Sequence, residues 1–209
     1  MSAQGIRVLV ADDHMVVRMG LVAILSHEAD IQVVAEAANG QQVLDLARAH
    51  DPDVIVMDLR MPGLPGDQVI AALVAQNANA RVIVVTIHKG DEAAYQALRA
   101  GARGYLLKDV PTEDIVAGVR TVYRGGLCIP PAIADQVARR LARTALSPRE
   151  TEVLTLIAEG LSNREVAGQL GVTEATAEKH MTSLLTKLGA KDRTHAVRLA
   201  LERGILTLD

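Results

Sequence analysis

Phenylalanine and tryptophan are absent from this 209-residue chain, and tyrosine occurs only three times. Its cores must therefore rest on Leu, Val, Ile, Ala and Met, and the aromatic platform on which single-strand nucleic-acid binders stack bases is missing. One cysteine, Cys128, excludes an intrachain disulfide and a cysteine-based zinc site, and suits a reducing cytosol. The six histidines form no spaced ligand set. No apolar stretch approaches a membrane span and no charged-then-apolar leader opens the chain, so a soluble, cytoplasmic protein without membrane contacts is expected.

What the chain does have is apolar content, 49% of its residues, enough for two modest domains or one large one. Short apolar runs at residues 6–11, 31–35, 54–57, 82–85 and 105–107 alternate with helical patterns, the mark of a parallel sheet covered on both faces. Four of these runs end in chemistry: Asp12 and Asp13, Asp58, Thr86 and Lys108 follow directly. In an open α/β sheet sites form beyond the carboxyl ends of the strands, so these residues should converge at one rim.

Three clustered carboxylates repel one another unless a cation is present, and oxygen ligands with room for water suit Mg2+. A metal there admits a phosphate, and Asp58 can act as nucleophile to form an acyl phosphate. The metal and the Lys108 ammonium would neutralise charge on the transferring oxygens, and the Thr86 hydroxyl would donate to one of them. Asp13 alone also suits an N-cap for the helical pattern of residues 14–25. The joint occurrence of all four matches at one rim favours the site.

A boundary is expected near residues 125–146, where Gly125-Gly126 ends a helix, Pro130-Pro131 delays the next and residues 133–143 read as a short basic helix carrying Arg139, Arg140 and Arg143. Beyond it strand signals cease. Ser147-Pro148-Arg149-Glu150 and Ser162-Asn163-Arg164-Glu165 are capping boxes, Gly160 and Gly171 stop their helices, and Thr173 caps a longer helix to about Leu188. This is the helix-turn-helix pattern. In the third helix Ala177, Met181, Leu184, Leu185 and Leu188 share a core face. Thr176, Glu178, Lys179, Thr182, Ser183 and Thr186 lie outside it, as a groove-reading face or a generic solvated one.

Residues 6–124 closely resemble a response-regulator receiver domain in VLVADDH (8–14), VIVMDLRMPGLPG (54–66), VIVVT (82–86) and GYLLKD (104–109). The resemblance implies a flavodoxin-like (βα)5 fold with a parallel five-stranded sheet, and a phosphoryl donor that is a sensor histidine kinase. It implies Mg2+ held by Asp13, Asp58 and the backbone carbonyl of Arg60, with Asp12 acting mostly through water. It also implies a switch in which Thr86 moves inward on phosphorylation and Tyr105 follows. Tyr105 equally reads as a buried strand aromatic with its hydroxyl at the surface. The side chains of Arg60 and His88 occupy positions that tune phosphoryl lifetime in the family.

Residues 146–208 resemble the LuxR-type DNA-binding domain through LSPRETEVLTLIAEGLSNREVAGQLGVTEATAEKHMTSLLTKLGAKDRTHAV. Together the two matches resemble a NarL/FixJ-type response regulator, with a receiver at 1–124, a linker at 125–145 and a small all-α four-helix domain at 146–209. That implies a phosphorylation-gated transcriptional regulator, catalysing nothing beyond its own phosphoryl uptake and loss. Its partners would be the major groove of double-stranded DNA, a second copy of itself when active, and RNA polymerase. The implied DNA contacts come from Thr176, Glu178, Lys179, Thr182, Ser183, Thr186, Lys187, Lys191 and Arg193, and the final helix, about 194–203, would form the DNA-bound dimer contact.

Two features depart from that pattern. The family usually has Val-Lys where this chain has Ala177-Glu178, which replaces a cation by an anion on the reading face. From Ala145 onward there are eight Lys and Arg against nine Asp and Glu, a net of −1, where a DNA-binding domain is often basic. The cations cluster instead at the recognition helix, the turn after it and the linker. An alternative of the same architecture would answer to a partner, to concentration or to the redox state of Cys128. A flavodoxin-like nucleotide-binding enzyme is a different class, but Ala11-Asp12-Asp13-His14 puts two anions where its phosphate loop would need glycines and hydroxyls.

Overall fold

The computed structural model describes residues 5–87, 89–141 and 145–206. The chain divides into two compact units that part chiefly between Ala134 and Asp135. In the first unit, β1 (Ile6–Ala11), β2 (Ile31–Ala37), β3 (Val54–Met57), β4 (Val82–Thr86) and β5 (Gly104–Leu107) alternate with α1 (Met15–Ser26), α2 (Gly40–His50), α3 (Gly66–Gln76), α4 (Asp91–Ala100) and α5 (Thr112–Tyr123). All neighbouring strands pair in parallel, in the order β2-β1-β3-β4-β5. The expected flavodoxin-like fold is therefore present.

Every residue of β3 and β4 is buried, as it must be for central strands covered on both faces. Val8, Val10, Val54, Val56, Ile83 and Val85 pack in one core with Leu21 and Leu25 of α1 and with Ile115, Val116, Val119 and Val122 of α5. Strand alternation turns Leu9, Ile55, Met57 and Val84 to the other face, where α2 and α3 bury Val43, Leu44, Val69, Ile70 and Leu73. The strand order reverses between β1 and β3. That switch point opens the crevice in which such sheets hold their ligands.

Strand β2 runs two residues beyond its apolar stretch, to Ala37, because its register against β1 shifts between Val8 and Leu9 and the pairing continues to Ala11. The loop after β3 is held tightly: the Gly66 amide donates to the Leu59 carbonyl at 3.2 Å, and a Cβ on Gly66 would lie 2.5 Å from that same oxygen.

After α6 (Pro131–Leu141), the remaining helices are α7 (Pro148–Ala158), α8 (Asn163–Leu170), α9 (Glu174–Leu188) and α10 (Arg193–Glu202). Helix α6 begins at Pro131, two residues before the apolar pattern, since proline fits the first helical turn. Both capping boxes form, Thr173 accepts from the Thr176 amide, and Asp192 accepts from the His195 amide. That last cap starts α10 at Arg193. Gly171, at φ +64°, closes α8 in the left-handed conformation and turns the chain into α9. Val153, Leu154, Ile157, Val166, Ala167, Ala177, Met181, Leu184, Leu188, Ala196 and Ala200 make one core, so α7–α10 form the expected four-helix domain. No helix among the described residues is long and apolar enough to cross a membrane.

Two glycines should respond in opposite ways to alanine. Gly66→Ala should lower the melting temperature, because the new methyl meets backbone that cannot yield without moving Leu59, next to Asp58. Gly168→Ala, in the open interior of α8, should raise stability by about 0.5–1 kcal/mol. Thermal denaturation of the two variants checks both signs.

Candidate functional site

Adjacent strands at the switch point carry the acids. The Asp58 amide donates to the Ala11 carbonyl at 2.9 Å and the Asp12 amide to the Ala37 carbonyl at 3.1 Å, so the ladder itself delivers both residues to the rim. Both side chains are buried, Asp12 completely. The Lys108 amide donates to the Thr86 carbonyl at 2.8 Å, which seats the lysine beside the fully buried threonine. Its ammonium lies 2.6 Å from Asp12 Oδ2 and 2.6 Å from Asp58 Oδ2. Burial alone would push the pKa of this lysine down, but its bonds to Asp12 and Asp58 outweigh that and hold it above the usual range.

The second acid faces outward. The Asp13 side chain is 28% exposed, and its Oδ1 lies 2.8 Å from His14 Nδ1. Asp13 does not cap α1: the N-cap is His14, which makes no side-chain cap bond, while the His14 amide donates to Asp12 Oδ1 at 2.9 Å. The capping alternative therefore fails. His14 and Arg18 are site residues that the sequence pattern does not single out. Arg18 donates to the Asp12 carbonyl at 2.6 Å and lies 3.4 Å from Glu36, tying α1 to the strand end behind the acids. An arginine one turn into the helix after paired acids is the only signal that could have pointed to it.

The carboxylates of this set suit a hard divalent cation. Asp12, Asp13 and His14 each bring one ligand atom within 4.8 Å of the others. Asp12 Oδ2 is buried, and the Lys108 ammonium at 2.6 Å is its counter-charge. Asp12, Asp58 and the half-buried Asp13 crowd around that ammonium, and a further cation would offset their excess of negative charge. The exposed edge at Asp13 leaves room for the waters that Mg2+ retains. The Arg60 amide donates to Asp58 Oδ1 at 3.3 Å, and the Arg60 side chain is exposed. His88 lies outside the described residues.

Tyr105 sits on β5 opposite Val84, its amide bonded to the Cys128 carbonyl at 2.9 Å. It is completely buried, so its hydroxyl is not at the surface. Burial first, and the charge of Asp58 second, push the phenol above its ordinary range. The Asp58 carboxylate and the Tyr105 ring thus share one electrostatic environment.

In the second unit, α9 presents Glu178, Lys179, Thr182 and Thr186 to solvent, and Lys191 is exposed in the turn after it. Thr182 and Thr186 donate their hydroxyls to the carbonyls one turn back, each at 3.0 Å. Thr176 is half-buried, with its hydroxyl 2.8 Å from that of Thr173. Ser183, Lys187 and Arg193 are engaged within the domain. Ser183 donates to Glu150 Oε1 at 2.6 Å, Lys187 lies 2.7 Å from Glu150 Oε2, and Arg193 donates to the Leu161 carbonyl. Arg139 is exposed and Arg140 half-buried on α6, and Arg143 lies outside the described residues.

The buried Glu150 was legible in the sequence only as the closing residue of a capping box. Burial would raise its pKa, but the bonds from Lys187 and Ser183 and those within the box outweigh it and hold the carboxyl down to about 2.

Comparison with known proteins follows this division. The response regulator receiver domain matches residues 8–120, and the luxR family of bacterial regulatory proteins matches residues 144–200. The oxygen regulatory protein NreC of Staphylococcus carnosus is 35% identical, over 96% of this chain and 99% of its own length. The transcriptional regulatory protein YdfI of Bacillus subtilis is 35% identical over 97% and 99%. Among solved structures, the response regulator ChrA of a heme-sensing two-component system is 37% identical, with a TM-score of 0.58 over 97% of this chain and 99% of that one.

Glu150 has a folded pKa below its ordinary value of 4.5, so its bonds stabilise the fold fully above that pH. The contribution is lost as pH falls from 4.5 toward 2. Glu150→Gln should flatten the pH dependence of denaturant stability in that window while changing it little between pH 6 and 8. An unchanged slope would show that the carboxylate is not held by these bonds.

Proposed function

Since this chain belongs to the response regulators that join a receiver domain to a LuxR-type DNA-binding domain, we propose that it is a phosphorylation-gated transcriptional regulator whose phosphoacceptor is Asp58. The observation that carries the reading is the buried Asp58 carboxylate at the β1/β3 switch point, bonded to Lys108 and flanked by Asp12. In this reading the receiver comprises residues 1–124, the linker 125–145 and the DNA-binding domain 146–209.

Asp58 attacks the phosphorus of a phosphohistidine on a sensor kinase. The Asp58 O–P bond forms as the donor's N–P bond breaks, and the imidazole leaves. Lys108, already an ion-pair partner of Asp58, follows the growing charge onto the phosphoryl oxygens, and Thr86 offers them its hydroxyl. Asp12, Asp13, Asp58 and the Arg60 carbonyl would hold Mg2+, which supplies neutralisation of the carboxylates and of the incoming phosphate. Lys108 and the Arg60 amide hold the acceptor in place, and Arg18 fixes the strand end behind Asp12.

The switch is a local charge event read by packing. Loss of the Asp58–Lys108 pair on phosphorylation, with Thr86 drawn toward the phosphoryl group, changes the environment of Tyr105, whose sealed ring must repack rather than swing through water. A change from mostly off to mostly on requires a differential of about 5.5 kcal/mol between the two states. The output is homodimerisation through surfaces that include α10, and entry of α9 into the major groove, with RNA polymerase as the downstream partner. The chain is 24% identical to an RcsB whose solved structure is a complex with DNA; that likeness supports the fold, and the groove assignment rests on the exposed face of α9.

Incubation with Mg2+ and acetyl phosphate should give one labile phosphoryl adduct by intact mass, accompanied by a dimer, on the wild type and not on Asp58→Ala. No adduct from acetyl phosphate or from candidate kinases would put control by a partner or by concentration in first place.

On α9, Lys179→Ala should weaken duplex binding without affecting the adduct. Glu178→Lys separates two roles: a uniform gain on all sequences makes Glu178 a repulsive residue, and a changed base preference makes it a reader of an exposed amino group such as that of cytosine. Binding to a duplex library, before and after each substitution, distinguishes them.

A further inference from the structure

The two Ser-x-x-Glu boxes of the DNA-binding domain are alike in sequence and different in structure. Glu165 bonds the amide and hydroxyl of its own Ser162 and stays exposed, which is all that capping requires. Glu150 bonds the Ser147 amide at 2.6 Å and also receives two side chains from another helix, Ser183 at 2.6 Å and Lys187 at 2.7 Å. Its side chain is 5% exposed and that of Lys187 26%. A buried carboxylate with three donors, two of them from α9, is more than a cap.

Its geometry fixes α9. Lys179, Ser183 and Lys187 form one column at four-residue spacing, and the neighbouring column is Glu178, Thr182 and Thr186. Anchoring Ser183 and Lys187 to the two oxygens of one carboxylate fixes both the rotation of α9 about its axis and its slide along α7. Lys179, one turn earlier, stays exposed, as does the whole second column.

We infer that Glu150 is the positioning residue of the recognition helix: it holds Ser183 and Lys187 against α7, so that neither contacts DNA, and thereby sets which face of α9 reads the groove. The inference rests on the DNA-binding reading above. It revises the pattern-based assignment of those two side chains, because Lys187 could reach a DNA phosphate only by leaving the buried Glu150 carboxylate without its cation.

The test uses the full-length phosphorylated protein, a duplex it selects from a random-sequence library, and an unselected random duplex, with affinity followed across salt concentration. Lys179→Ala should reduce the salt slope by about one. Lys187→Ala should leave the slope unchanged. Glu150→Gln should lower the ratio of selected to unselected affinity by roughly tenfold and steepen the slope by about one as Lys187 is freed, and adding Lys187→Ala should remove that extra slope. A purely structural role would lower the melting temperature and leave the ratio and slope alone, which overturns the inference. A slope loss for Lys187→Ala equal to that for Lys179→Ala also overturns it. Should Glu150→Gln fail to fold, Ser183→Ala removes one anchor more gently, and an unchanged affinity ratio there counts against the inference. A wild type that selects no duplex would overturn the DNA-binding reading itself, and this inference with it.

Discussion

The Lys108 ammonium lies 2.6 Å from the carboxylates of both Asp12 and Asp58, and the rim of the first unit depends on that bridge. Two carboxylates buried at the ends of adjacent strands would repel one another and resist desolvation. One cation between them makes the arrangement tolerable. It does not balance the charge, because Asp13 adds a third carboxylate at the open edge. The rim therefore carries more negative charge than its one lysine balances, which under the proposed function is the excess that a divalent cation would offset.

Its location follows from backbone pairing rather than from the side chains. Asp58 and Asp12 are fixed by ladder bonds to Ala11 and Ala37, and Lys108 by a bond to the carbonyl of Thr86. A phosphoryl group on Asp58 would therefore act on a lysine and a threonine already joined to each other, beside a tyrosine with no route to solvent. A charge change at such a point has few ways to relax except by repacking, which is the physical requirement for a switch.

The second unit uses the same device with the sign of burial reversed in purpose. At the rim, one half-buried lysine pairs with two buried carboxylates. At the α7–α9 junction, a buried carboxylate takes a lysine and a serine out of service. With a net charge of −1 over residues 145–209, the domain has few cations to spare. Holding Lys187 on Glu150 leaves Lys179 as the exposed lysine of α9.

The sheet, its succession of strands and helices, the rim and the four-helix domain are all legible in the residues, because each is written locally. Apolar runs ending in Asp12, Asp58, Thr86 and Lys108 must share one edge of a parallel sheet, and Ser-Pro-x-Glu, Gly171 and Thr173 each start or stop a helix by bonds within four residues. Tertiary structure alone decided the rest, because it depends on residues far apart in the chain. That His14 and not Asp13 stands at the N-cap of α1, that Arg18 braces Asp12 from the helix, and that Tyr105 is sealed are outcomes of packing. Ser183 and Lys187 look identical in pattern to Thr182 and Thr186, and only the burial of Glu150, thirty-odd residues away, turns them inward. A helix periodicity tells which residues share a face; which face meets a buried charge is settled by the helix packed against it.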